Sequence, residues 1–329
     1  MQTTTATDIA SADTETADPA VVIEDLTKHY PHPDGGTFAA VDGVSLTVRS
    51  GEVFGILGPN GAGKTTTLEI LEGLTRADGG RVRVLGLDPQ TDPTAVQQRI
   101  GVQLQSSAYF EFLRLGELLE LFGSFYPQRL DSDELLARVE LTEKRNALIG
   151  QLSGGQAQRF SIIAALVNDP EVVFLDEPTT GLDPQARRSV WEVIRGLADE
   201  GRTVILTTHY MEEAETLADR VAIIDHGKIV AIDAPMNLME QHGSGTTVSF
   251  TIDDELAAAD LAALPSVSGV QTRLNGAATY ELSVEAADVV VPALYRWAAT
   301  SEIELRGVAI RRSTLEDVFL NLTGSRLRD

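Results

Sequence analysis

Gly58-Pro59-Asn60-Gly61-Ala62-Gly63-Lys64-Thr65-Thr66 carries the strongest chemical signal in this 329-residue chain. The spacing is G-x-x-x-x-G-K-[ST], set between the apolar run VFGIL and the apolar helical run TTLEILEGL. Backbone N–H groups in such a glycine-rich loop converge on phosphate oxygens, and the following helix adds about half a positive charge at its N-terminus. Lys64 then reaches the β- and γ-phosphates of a nucleotide, and Thr65 becomes a ligand for Mg2+. A chance glycine-rich turn would lack the strand and helix on either side. A second group follows the apolar run VVFL: Asp176 ends it, where a carboxylate can hold Mg2+, and Glu177 beside it can orient or deprotonate an attacking water. Alone, two adjacent carboxylates would read as a solvated turn; behind a phosphate loop they read as chemistry. His209 ends the neighbouring run TVILTT and can face the same nucleotide as a γ-phosphate sensor, although a lone histidine at a strand end is more often structural.

These residues need elements to hold them. VFGIL at 53–57, VVFL at 172–175, TVILTT at 203–208 and VAII at 221–224 are continuous apolar runs. The last three are separated by the helical stretches 186–200 and 211–219. Apolar strands alternating with helices predict an α/β fold with a mostly parallel sheet covered on both faces, whose strand ends converge on one crevice. VVIEDLTKHY and AAVDGVSLTVRSGE alternate instead, as an antiparallel flank does. Residues from about 105 to 168 read mainly as helix. Beyond a Gly/Ser break near 237–246 the order becomes β-α-β-β-α-β, the ferredoxin-like split unit, closed by a helix TLEDVFLNLTG. Domains are therefore expected at 21–240 and 245–324, after a Thr/Ala/Asp-rich tail at 1–20 with the composition of a disordered segment.

Composition excludes several classes. Twenty-six Lys+Arg against 49 Asp+Glu give a net charge of −23, and only four of the bases are lysines. Such a surface opposes nucleic acid and anionic lipid, which need a positive footprint. It suits a salt-rich cytoplasm where self-repulsion is screened, or simply an acidic protein of ordinary habitat. Zero cysteines remove disulfides, thiol catalysis and zinc–thiolate sites. No run reaches the roughly 18 apolar residues of a membrane span, and Met1 is not followed by a secretory signal.

Ser153 and Gln156 in QLSGGQAQR form S-x-x-Q, a capping box for the helix that follows. Capping does not account for the paired Gly154 and Gly155, which allow a backbone to approach an anion closely. With this LSGGQ, residues 21–240 resemble the ATP-binding cassette (ABC) ATPases: GPNGAGKTT resembles their Walker A loop, VVFLDE their Walker B strand with its catalytic Glu, and GLDP, including Asp183, their D-loop. The resemblance makes His209 the switch histidine and Gln105, in IGVQLQSS, the glutamine that contacts Mg2+ and the water. Leu104 stands where the family often has Pro, and Gln103 is nearby. It also puts Tyr30 where relatives stack an aromatic on adenine. It implies that ATP is hydrolysed between two copies of the chain, the Walker A loop of one facing LSGGQ of the other.

The C-terminal segment resembles the accessory domain of ABC-2-type export ATPases, including the daunorubicin-resistance group. A separate transmembrane permease is the implied partner, with the chain cytoplasmic and peripheral on the inner face of the membrane. Tyr109, Phe110, Phe112, Phe122, Phe125 and Tyr126 fall where relatives receive a permease helix. Some must fill the helical region's own core, while Tyr109 and Phe110 are expected to face the partner. The alternative is a non-transport ABC ATPase working on ribosomes or chromosomes, but one phosphate loop, one LSGGQ, no long heptad run and the acidic charge favour transport.

Overall fold

The computed structural model describes residues 18–32, 35–105, 109–243, 245–252, 258–275 and 277–324. Three strands, β1 (Val21–Pro31), β2 (Thr37–Val48) and β4 (Gly79–Val84), make an antiparallel sheet in the order β2-β1-β4. A six-stranded sheet has the order β5-β6-β7-β3-β8-β9. Its members are β3 (Val53–Leu57), β5 (Ile100–Gln103), β6 (Val172–Asp176), β7 (Thr203–Thr208), β8 (Arg220–Asp225) and β9 (Lys228–Asp233). All its pairings are parallel except β8–β9. The short edge strands β5 and β9 were not legible as apolar runs.

Side-chain alternation along β6 shows why its sequence is apolar throughout. Val172 and Phe174 join a core with the antiparallel sheet and α1 (Lys64–Leu71), while Val173 and Leu175 point to the other side. There they meet α5 (Gly154–Ala164) and α6 (Pro184–Asp199). Both faces are covered, so neither can be polar. The short α2 (Pro93–Gln97) precedes β5, and α3 (Leu115–Gly123) and α4 (Ser132–Arg138) extend the second core as a helical layer.

After β9 come α8 (Pro235–His242) and a second antiparallel sheet, preceded in the chain by α7 (Met211–Leu217) between β7 and β8. The second sheet comprises β10 (Thr246–Ile252), β11 (Val267–Asn275), β12 (Ala277–Val284) and β13 (Arg306–Arg312). The order β11-β12-β10-β13, with α9 (Ala258–Ala262) and α10 (Ala287–Thr300) as the crossovers, is that of a ferredoxin-like unit. Phe250 and Tyr280 stack in its core with ring centroids 5.6 Å apart. The closing helix α11 (Leu315–Thr323) departs from the expected division of the chain: Leu315, Val318 and Phe319 pack not in that core but with Leu57, Ala214, Val221, Ile223 and Leu238. Glu215 in α7 accepts a hydrogen bond from the Leu315 N–H at 2.6 Å.

Of the segment 1–20 read as a tail, residues 1–17 lie outside the described residues. Its end is bonded to the fold: Asp18 and Ala20 carbonyls accept from Ser50 Oγ and the Leu85 N–H, both at 2.7 Å, and Ala20 is buried. Among the described residues no helix is long and apolar enough to cross a membrane.

Candidate nucleotide site

Three adjacent strands end together. Leu57 of β3 pairs with Thr208 of β7, and Asp176 of β6 pairs with Thr207, so the residues beyond those ends share one crevice. The phosphate loop leaves β3 there. Its Gly58 N–H donates to the Thr208 carbonyl at 3.3 Å. A Cβ on Gly58 would lie 2.3 Å from the Ile224 carbonyl oxygen, and Gly63 has φ +102° with the Ala40 carbonyl oxygen 2.1 Å from the same virtual atom. Only glycine fits either place.

Lys64 heads α1 and is nearly buried, and its ammonium donates to the carbonyls of Gly58 (2.9 Å) and Pro59 (3.2 Å). It also pairs with Glu177 Oε1 at 3.2 Å. Glu177 has φ +48°, a conformation that costs a non-glycine residue about 1 kcal/mol or more. Hydrogen bonds from its own N–H to the Thr207 carbonyl (3.2 Å) and Thr207 Oγ1 (3.0 Å) hold the turn. Burial pushes the Glu177 carboxyl up, but Lys64, His209 and the Thr180 hydroxyl outweigh it and leave it below the usual carboxylate range. Glu177 is therefore charged at neutral pH and suited to orienting water.

Two further predicted residues reach Glu177. Gln105 Nε2 donates to its Oε2 at 3.2 Å, whereas Gln103 is buried and turns its amide to the Leu104 carbonyl. His209 Nδ1 lies 3.3 Å from Oε2, out of line for a hydrogen bond. Thr65 Oγ1 donates to Asp176 at 3.1 Å. A hydroxyl and a buried carboxylate are hard oxygen donors, and a pair of them suits Mg2+, which takes its remaining ligands from water and phosphate. Among the described residues no cluster of three or more His, Asp or Glu could form an all-protein cage.

Tyr30 lies beside the loop, lining a cavity of about 220 Å3 with Gly61, Gly63, Lys64, Thr65 and Thr66. Asn60 and Ala62 complete the loop, the Ala62 N–H donating to the Pro59 carbonyl at 3.1 Å. Ser153, Gly155, Gln156 and Asp183 line a different cavity of about 230 Å3, with no residue in common. The capping box forms: Gln156 Oε1 accepts from the Ser153 N–H at 3.1 Å, and Ser153 Oγ accepts in return from the Gln156 N–H at 3.4 Å. The N–H groups of Gly154 and Gly155 make no hydrogen bond among the described residues. Gly155 has a further reason to be glycine, since a Cβ there would meet Ala186 of α6 at 2.7 Å. Asp183 caps α6, accepting from the Gln185 and Ala186 N–H groups at 2.9 Å.

Some residues at the site escaped the sequence reading. Thr207 ties Asp176 to Glu177 by donating to one and accepting from the other. Phe38 shares the cavity of Tyr30, its ring 6.1 Å away. Tyr210 lies against His209 (4.1 Å between rings) and carries the Arg187 guanidinium 4.2 Å from its own ring centroid. Beneath them Glu213 is fully buried and accepts from Thr179 Oγ1 at 2.7 Å and Trp191 Nε1 at 2.9 Å. Only the polar residues in TVILTTHY hinted at such a network; the Arg187 contact comes from a distant helix. Of the aromatics expected to face a partner, Phe110 is exposed, but Tyr109 packs on Phe160 and bonds Ser161 Oγ at 3.0 Å. Phe112 and Phe125 are the more exposed rings.

A mostly parallel sheet with a G-x-x-x-x-G-K-T loop, and a carboxylate pair at the end of a nearby strand, define a P-loop ATPase. Residues 41–180 match the ABC transporter family. The chain belongs to the ATP-binding subunits of ABC transporters, in the ABC-2-type export group, and is an ATPase. Among its relatives, a daunorubicin resistance ATP-binding protein of Streptomyces coeruleorubidus is 40% identical, the match covering 94% of this chain and 97% of that one. A Nod factor export ATP-binding protein of Ralstonia nicotianae is 37% identical, over 94% and 96%. The solved post-hydrolysis dimer of the ATP-binding cassette MJ0796 with ADP and Pi is 28% identical with a TM-score of 0.59, over 65% of this chain and 98% of that one.

Proposed function

We propose that two copies of this chain clasp ATP between the Walker A loop of one and the LSGGQ segment of the other, and that closure and reopening drive a separate export permease. One observation carries this reading: the chain bears two cavities with complementary equipment and no shared residue. One holds the lysine and leads to the carboxylates; the other presents free N–H groups at a helix start, suited to the γ-phosphate of a facing nucleotide.

In this reading Tyr30 stacks on adenine, and the amides of Gly58 through Thr66 with Lys64 hold the phosphates. Thr65 and Asp176, with Gln105 alongside, would hold Mg2+, which screens charge on the β- and γ-phosphates. Lys64 moves from Glu177 to the phosphates, freeing the carboxylate. Glu177, its charge retained, orients the attacking water and accepts its proton as the oxygen bonds to the γ-phosphorus and the bond to the ADP oxygen breaks. His209 and Gln105 hold that water and the γ-phosphate in register. Ser153, Gly154, Gly155, Gln156 and Asp183 complete the site from across the interface. The chain sits on the cytoplasmic face of the membrane through the permease, and its charge of −23 suits a salt-rich cytoplasm and repels nucleic acid.

Glu177→Gln is the test. It keeps the shape and loses the proton acceptor, so hydrolysis falls about 10²–10⁴-fold while ATP still binds. Sedimentation with saturating ATP at high salt should then show a dimer. A variant that stays monomeric while ATP is bound would refute the clasp.

A further inference from the structure

Strand β7 is apolar until its last residues. Val204, Ile205 and Leu206 are buried, and so are Thr207 and Thr208 after them. A sheet covered on both faces calls for apolar side chains here, and valine would fill the space of threonine without a hydroxyl to satisfy. A buried hydroxyl is unfavourable unless it is hydrogen-bonded, so packing alone does not explain the pair. Alternation sends the two side chains to opposite faces of the sheet. Thr208 Oγ1 accepts from the Tyr210 N–H at 2.9 Å and closes the turn that carries His209. Thr207 faces the other way, beside Asp176, its neighbour in register on β6.

The Thr207 hydroxyl has a single proton, and its use is fixed. The Glu177 N–H can only donate, so Thr207 Oγ1 accepts from it at 3.0 Å. The proton is left for Asp176 Oδ1, to which Thr207 donates. Thr65 Oγ1 reaches the same carboxylate at 3.1 Å from α1, so hydroxyls from two elements hold its plane. Thr65 is one of the oxygens suited to Mg2+, whereas Thr207 is buried and does not line the phosphate-loop cavity. Thr207 therefore supports the carboxylate without competing for the metal. On the other side, its carbonyl at 3.2 Å and its hydroxyl are both bonded by the Glu177 N–H. A φ of +48° persists only where the surroundings over-determine it. Lys64 holds Glu177 as well, but Lys64 is the group that moves to the phosphates in the proposed reaction. Thr207 stays.

From this double contact we infer that Thr207 is a positioning residue, whose hydroxyl keeps the metal-holding carboxylate of Asp176 and the water-orienting Glu177 in register. This role rests on the reading of Asp176 and Glu177 under the proposed function and supplies the link between them. His209 follows on the same strand end, so β7 places all three groups relative to one another. Groups that hold a metal ligand in place matter nearly as much as the ligand. Losing one typically lowers metal affinity or activity about 10- to 100-fold.

The test uses the full chain carrying a non-hydrolysable ATP analogue, with Mn2+ in place of Mg2+ and free Mn2+ read by electron paramagnetic resonance. Thr207→Val keeps the shape and removes the hydroxyl, so Mn2+ affinity should fall about tenfold or more. In turnover with Mg2+, kcat should fall about 10- to 100-fold while KM for ATP stays within about threefold, because the phosphate loop is untouched. Thr207→Ser restores the hydroxyl without the methyl and should return Mn2+ affinity and kcat to within about threefold of the unaltered chain. A packing role gives the opposite order, valine harmless and serine harmful, and that order overturns the inference. Thermal unfolding checks each fold; should valine not fold, Thr207→Ala carries the same expectation. Thr208→Val deletes the neighbouring hydroxyl on the other face and should leave Mn2+ affinity within about twofold. An equal loss in both would mean general damage to β7, and the role of Thr207 would fall. Asp176→Asn tests the reading underneath. If it loses Mn2+ while Thr207→Val keeps Mn2+ affinity and kcat within about twofold, the metal reading stands and Thr207 has no positioning role. If Asp176→Asn binds Mn2+ as well as the unaltered chain, both fall.

Discussion

The phosphate-loop cavity and the LSGGQ cavity are nearly equal in size, about 220 and 230 Å3, and differ in almost everything else. Around the phosphate loop, conformational strain and charge are concentrated: Gly61, Gly63 and Glu177 have φ of +81°, +102° and +48°, and Lys64 and His209 each lie against Glu177. At the LSGGQ cavity the side chains of Ser153, Gln156 and Asp183 are committed to helix caps, and none of the three has a positive φ. Caps satisfy a helix locally and leave its first N–H groups pointing outward. In the proposed clasp, strain and charge gather where bonds change, and the relaxed, capped surface is the one that docks. On the proposed clasp, a single copy holds the reacting groups and a second copy completes the site.

The sharpest way to break that contrast is to damage the cavities on different copies. Ser153→Arg fills the entrance to the LSGGQ cavity and should lower hydrolysis at least about 100-fold, while ATP affinity, which depends on the other cavity, stays within about twofold. Lys64→Ala should do the reverse and lose ATP binding. An equal mixture of the two variants contains hybrids with one intact composite site, and activity should return to a measurable fraction of the unaltered chain. If the mixture stays silent while each variant is folded, the cavities do not work across an interface.

A second experiment tests the base end of the phosphate cavity. Stacking of a base on an aromatic ring contributes about 1–3 kcal/mol, so Tyr30→Ala should weaken ATP binding roughly 5- to 150-fold, measured by fluorescence of a labelled nucleotide. Phe38 forms the second aromatic of the same cavity, and Tyr30→Phe should retain most of the affinity. Equal binding by Tyr30→Ala and the unaltered chain would remove the base from this cavity.

How much of this could be read from residues alone depended on the reach of each contact. The phosphate loop, the carboxylate pair and the capping box are local in sequence, and their chemistry follows from residue type and spacing. The strands behind them were legible because a sheet covered on both faces must be apolar throughout, as in β6 and β7. Short edge strands such as β5 carry too few residues to show a pattern. The long-range contacts were silent: nothing in TLEDVF says that Leu315 and Phe319 pack against Leu57 and Ile223, and nothing in PQARRSV says that Arg187 lies over Tyr210. The contacts of Tyr109 were silent for the same reason, since its neighbours Phe160 and Ser161 arrive from α5.

Arg187 offers a finer test of what holds the strained end in place. Its guanidinium lies over Tyr210, whose ring in turn lies against His209, and its own Nε is buried without a hydrogen bond. Arg187→Met keeps the packing of the stem and deletes the cation. A cation–π contact is worth about 1 kcal/mol, so kcat should fall roughly fivefold with KM for ATP nearly unchanged, as expected of a positioning residue acting through His209. A change confined to KM would mean that the stack supports nucleotide binding instead.

The smallest expected effect lies below that stack, at Glu213. Burial raises its pKa from the ordinary 4.5, while the nearby Thr208 hydroxyl, the hydrogen bonds from Thr179 and Trp191 and the charge of Arg187 only partly offset the shift. The sign follows from proton counting. Below the ordinary value both folded and unfolded chains hold the proton, and stability does not depend on this group. Above it the unfolded chain releases the proton while the folded one keeps it, so stability falls as pH rises until the folded value is passed. Glu213→Gln retains an acceptor for Thr179 and Trp191 but cannot ionise. Its unfolding temperature should differ little from that of the unaltered chain at pH about 5 and exceed it progressively as pH rises, by the equivalent of about 1 kcal/mol or more. Glu213→Ala, which strands both donors, should be less stable at every pH. A Glu213→Gln curve parallel to that of the unaltered chain would show that Glu213 is ionised in the fold, and that Arg187 serves as its counter-charge rather than as the prop behind His209.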